Sequence, residues 1–243
     1  MKQHLSTFSI AAAVVLSAIV LGNAWNYRYR SQETISVTGL ATKDFASDLI
    51  VWDGSYSRKS MDLKDAYAQL KSDETNIRKY LSGKGIDEKE VVLSAISIDK
   101  DFESIYDSQG QQTGQRFTGY NLTQTVTIQS SDIDKVENVS REVTELIQQG
   151  IEFNSSSPSY FYTKLADLKL DLLAKAAEDA RKRAETIAKN SGSAVGDLKK
   201  SNMGVFQITA RNSNEDYSYG GAFNTDARYK TASITIRAEF MAD

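Results

Sequence analysis

Alanine recurs at positions 176, 180, 184 and 188, every fourth residue of a run without Gly or Pro from about Lys164 to Asn190. At 3.6 residues per turn these positions share one face of a helix. Small side chains make that face a flat strip, where another backbone can approach closely. Asp179 and Arg183 form an i,i+4 ion pair beside the strip. Gly192 is placed to cap the helix C-terminus, and Gly196 to turn the chain into a strand. The run therefore predicts a long helix packed tightly on a sheet.

Alternation of apolar and polar residues supplies the sheet. Strands are expected over Ile35–Leu40, Asp48–Arg58, Val91–Tyr106, Arg116–Gln129, Gly204–Ala210 and Tyr229–Phe240, with an extended stretch over Ile151–Tyr162. In the last strand Ala232, Ile234, Ile236, Ala238 and Phe240 share a face. A helix is expected from Asp62 to Leu81, capped by Ser60 or Asp62 and ended by Gly83. Another opens at Ser131 and closes at Gly150. The order is β-β-α-β-β-α-β-α-β-β. Its middle, β-α-β-β-α-β, is the split βαβ pattern of ferredoxin-like sandwiches, extended here by α-β-β. The expected class is α+β: a mainly antiparallel sheet with helices on one face, forming one domain over residues 32–243.

Ahead of that domain, Leu5–Gly22 contains no charge and follows Lys2 and His4. This is the layout of an export signal, and Gly22-Asn23-Ala24 offers small residues for cleavage after Ala24. The same run is nearly long enough to span a bilayer as an uncleaved N-terminal anchor helix. Trp25, Tyr27 and Tyr29 with Arg28 and Arg30 resemble an interfacial belt. Residues 1–24 are read as signal peptide or membrane anchor, and 25–31 as a juxtamembrane linker. The expected location is a bacterial periplasm, with a tether to the inner membrane if the segment is retained.

Composition closes most routes to catalysis. There is no Cys, and His4 is the only His. Thiol nucleophiles, thiolate zinc sites, iron–sulfur clusters and His-dependent triads are excluded from the body of the chain. A net charge of −3 disfavours duplex nucleic acid as a partner. Asp99, Asp101 and Glu103 alternate along a strand without the glycine turn of a calcium loop, so they read as a solvated face. Gly220-Gly221 lacks a phosphate-loop lysine. No catalytic, cofactor-binding or metal residues are assigned.

The run A-x-x-D-A-x-x-R-A-x-x-I-A-x-x-x-G-x-x-V-G, from Ala176 to Gly196, closely resembles the hallmark of the SIMPL-domain family. So does the early Ile35-Ser-Val-Thr-Gly39 strand, followed by Ala41 and a strand ending in Asp53-Gly-Ser-Tyr. The likeness covers about residues 32–241. Its motif residues are Gly39, Asp179, Ala180, Arg183, Ala184, Ala188, Gly192 and Gly196. The family includes bacterial periplasmic immunogenic and oxidative-stress defence proteins with export signals. The resemblance implies an α+β fold, homo-oligomeric assembly into ring- or channel-like particles in at least some members and no established enzymatic activity. It carries no cofactor and no catalytic residue onto this chain.

The segment Arg211–Tyr229 joins two strands with far more residues than a hairpin needs. Tyr, Ser, Asn and Gly dominate it, giving aromatic contact area with adaptable hydrogen bonding. Tyr217, Tyr219, Phe223 and Tyr229, with Tyr160 and Tyr162 from Ser157–Tyr162, form the candidate interaction surface. Its expected partner is another subunit or an envelope component. The alternative is a periplasmic module that binds a small molecule or peptide.

Overall fold

A computed structural model describes residues 15–22, 33–216 and 218–242. The expectations for residues 1–14 and 23–32, and for Tyr217, lie outside these. Residues 15–22 are helical and exposed. No helix among the described residues is long and apolar enough to cross a membrane.

In chain order the elements are β1 (Thr34–Ala46), β2 (Leu49–Ser60), α1 (Leu63–Gly83), β3 (Val91–Leu93), β4 (Ser97–Tyr106), β5 (Gln112–Ser130), α2 (Ile133–Glu142), β6 (Phe153–Ser155), β7 (Ser159–Phe161), α3 (Leu165–Ser191), β8 (Val195–Met203), β9 (Gln207–Ala210) and β10 (Tyr229–Ala242). Short 3₁₀ segments, Glu88–Glu90 and Val143–Gln149, precede β3 and follow α2. Asp62 caps α1 by accepting from the backbone N–H groups of Lys64 and Asp65. Gly150 and Gly192 end their helical segments in the left-handed conformation.

The class is α+β with antiparallel strands, but the expectation of one sheet is corrected. The strands form two sheets. One runs β1-β10-β8, with β9 also on β10. The other runs β3-β5-β2-β6, with β4 on β5 and β7 on β2. Between β1 and β2 the chain leaves one sheet for the other at Ser47 and Asp48, whose N–H groups donate to Arg228 O and Phe161 O.

Side-chain size explains the division. Val37, Gly39 and Ala41 of β1 and Ala232, Ile234, Ile236, Ala238 and Phe240 of β10 face α3 and its alanines. Ile50, Trp52 and Tyr56 of β2, with Leu122, Val126 and Ile128 of β5, face α1 and α2. A sheet-to-helix spacing set by Gly and Ala is too small for Trp and Tyr, so close packing requires two layers at two spacings. Each sheet buries one face under its own helices.

Two further differences concern strands. Val195–Met203 is a strand where only a turn was expected, so Gly196 lies inside β8, and the strand expected over Gly204–Ala210 is confined to Gln207–Ala210. β8 is polar and exposed along nearly its whole length, so alternation gave no signal for it. The strand expected over Val91–Tyr106 is broken between β3 and β4, where Ser94 is held by Gln124 and Thr125 of β5.

Candidate functional site

The alanine strip meets β1. Ala176, Ala180 and Ala184 are fully buried. A Cβ added to Gly39 would lie 2.2 Å from Ala176 O and 2.5 Å from Ala180 N, so only glycine fits there. One residue on, the Leu40 N–H donates to Asp179 Oδ2 at 2.8 Å. β1 is an edge strand, and this carboxylate satisfies one of its outward-facing groups. Arg183 Nε donates to the same oxygen at 2.8 Å. The Leu40 bond, then the Arg183 guanidinium, hold the Asp179 carboxyl below its ordinary range. Beyond this lock the edge of β1 and the flank of α3 leave an open groove, lined by Ser36, Val37, Thr38, Lys182, Thr186 and Ile187 among others.

The second candidate region lies where the two sheets meet. Residues 211–216 and 218–228 are folded onto β9 and not loose. Gln207 donates to Ser218 O at 2.8 Å and accepts from Ala222 N at 2.7 Å. Glu215 accepts from Ala210 N at 3.2 Å and from Asn224 Nδ2 at 2.6 Å. Beneath the segment is Lys230, 2% exposed, whose ammonium donates to Tyr160 O and Asn224 O, each at 2.6 Å. Phe223 lies over that ammonium at 5.9 Å from ring centre to Nζ. Burial pushes the Lys230 amine down from its ordinary value, and Asp226 and Glu215 act against that.

A protein-family model described as SIMPL, protein of unknown function (DUF541), matches residues 35–241. The chain belongs to the SIMPL family. No curated protein matches it. Within the SIMPL domain, Gly39, Asp179, Ala180 and Arg183 form the strand–helix lock, Ala184 and Ala188 extend the buried strip, and Gly192 ends the helix. These contacts assign the motif a packing role.

The described aromatic candidates of the SIMPL domain divide into four groups. Tyr160 and Phe223 are brought together around Lys230, where Tyr160 N also donates to Thr225 O at 2.7 Å. The Tyr160 hydroxyl donates to Glu137 Oε1 at 2.9 Å. Burial and that bond push its pKa up to about 12. The guanidinium groups of Arg211 and Arg228 each lie over the Tyr229 ring, at 5.1 and 5.7 Å. Tyr162 instead packs on Phe45, 5.0 Å between ring centres. Tyr219 stands in solvent. Sequence reasoning missed Lys230 as the hub. The signal was present, because Lys230 shares the inward parity of Ala232, Ile234 and Ile236.

Proposed function

We propose that this SIMPL-family chain is an exported, non-enzymatic protein that self-assembles in the bacterial envelope and serves envelope integrity or oxidative-stress defence. The observation that carries the reading is a charge-free run, Leu5–Gly22, placed directly ahead of a SIMPL domain spanning residues 35–241. The non-enzymatic part is supported by how the notable polar groups are used. Asp179 binds a backbone amide, Asp73 pairs with Arg58, and Lys230 holds two carbonyl oxygens. The finer fold reading is that β2-α1-β4-β5-α2-β6 is a ferredoxin-like core, supported by β2 and β5 lying side by side at the centre of their sheet.

Export is tested by fusing alkaline phosphatase after residue 31: activity in cells is expected, and an inactive cytoplasmic fusion would overturn it. The stress role is tested by deleting the gene and measuring survival under peroxide and under detergent. Unchanged survival in both would remove that part. Self-assembly is tested by light scattering on the full chain in mild detergent.

A second reading, a periplasmic module for peptides, is favoured by the groove between the edge of β1 and α3. Extended peptides bind sheet edges by strand addition. Thermal shift against a peptide library, repeated with Thr186→Arg to fill the groove, separates it from the first.

A further inference from the structure

Among the described residues, the fold leaves an extended apolar face uncovered. β2 pairs with β5 only from Ile50 opposite Ser130 to Ser60 opposite Tyr120. Among the described residues the rest of β5, from Gln112 to Gly119, pairs with β4 alone, so the β4–β5 hairpin leaves the sheet as a two-stranded arm. Two strands by themselves are marginally stable in water. The arm therefore needs a covering surface.

One face of the arm continues the buried face of the sheet. Ile98 is opposite the fully buried Leu122 and so shares its side. Tyr120 packs on the core, Phe117 meets it edge-on at 5.1 Å, and Phe102 meets Phe117 at 5.7 Å. Alternation adds Tyr106. Yet Ile98, Phe102 and Tyr106 are 55%, 53% and 61% exposed. The surface extends onto α1, which starts where the arm departs, with Ser60 and Met61 packed against Gly119. Tyr67 lies on the same side of α1 as Arg78, and Arg78 pairs with Glu88 just before β3, so Tyr67 faces the β3–β4 side. Met61, Leu63 and Tyr67 are also exposed.

With about 200 Å² for a large side chain, these six expose on the order of 600 Å², close to the ~800 Å² per partner of a standard interface. The stripe carries Lys100 between Ile98 and Phe102, without the cluster of cations that an anionic membrane surface would call for. The acids Asp101 and Glu103 of β4 are neutralised within the chain by Lys59 and Arg116. What remains is a projecting rib beside a helix flank, a shape that is self-complementary about a two-fold axis.

We propose that this face, from Tyr67 and Leu63 across Ile98 and Phe102 to Tyr106, is where a second copy of the chain docks, each arm lying on the partner's α1 flank. The proposal rests on the self-assembly reading and names its surface. The test uses the full chain in mild detergent, with mass by light scattering and folding by circular dichroism. Phe102→Lys with Tyr106→Lys is expected to lower the mass at least twofold with the spectrum unchanged. Because the chain has no Cys, Lys100→Cys reports contact without background. A short bis-maleimide should cross-link it between copies, while Tyr219→Cys stays single. The cross-link decides the matter if the double variant unfolds. An assembled protein that cross-links through Tyr219→Cys and not through Lys100→Cys overturns the arm interface and leaves self-assembly standing. A monomeric unmodified chain overturns both.

Discussion

The backbone N–H of Leu40 and the carboxylate of Asp179 are joined by a 2.8 Å hydrogen bond across 139 residues of sequence. It ties one group of an exposed sheet edge to a side chain of the helix that covers that sheet. The adjoining absence of a Cβ at Gly39 lets the two backbones come near enough for it.

Asp179→Ala removes this acceptor and leaves Arg183 without its partner. The site is a third exposed, so water takes up part of the loss, and a cost of about 1 kcal/mol is expected from urea titration. The pH dependence has a definite sign. The folded carboxyl is held below its unfolded value of about 3.9, so its contribution is complete above that value and lost as pH falls through the folded one. The gap between the unmodified chain and Asp179→Asn should narrow only on acidification below about pH 4.

Gly39→Val places carbon atoms inside Ala176 O and Ala180 N. Backbone cannot yield as a side-chain tip would, so a loss of ~3 kcal/mol or more is expected, read as a large fall in Tm. Gly114→Ala on the arm, where a Cβ meets nothing within 4 Å, should be close to neutral.

Lys230→Ala leaves the carbonyl groups of Tyr160 and Asn224 without their buried donor. A loss of about 2–4 kcal/mol is expected. Hydrogen exchange should rise first in residues 218–228, because that segment and β7 are held to β10 through this amine.

Tyr160→Phe deletes the bond to Glu137 and should cost about 1 kcal/mol in denaturant titration. Tyr219→Ala, at a side chain in open solvent, should change stability by less than about 0.5 kcal/mol. An equal effect from both would contradict the division of the aromatic residues between clamp and surface.

Much of this was legible along the chain. The alanine period located α3 and its buried face, and Asp62, Gly150 and Gly192 marked helix ends through local capping chemistry. Four of the motif residues that carry the SIMPL resemblance, Gly39, Asp179, Ala180 and Arg183, form the lock. Lys230 could have been identified by its inward parity, but its acceptors come from two distant segments that parity cannot name. β8 escaped because an exposed polar strand has no apolar alternation. The apolar arm lay within the strands expected over Val91–Tyr106 and Arg116–Gln129, and its exposure follows from β2 ending at Ser60 while β5 starts at Gln112.

The sequence by itself determined the helices, most strands and the inward residues of each, because periodicity and capping act over a few residues. Tertiary structure alone decided that β1 pairs with β10 and β2 with β5, making two sheets. Backbone hydrogen bonds between strands are nearly blind to residue identity. The choice of partner therefore fell to packing, where glycine and alanine require a close layer and tryptophan and tyrosine a wide one.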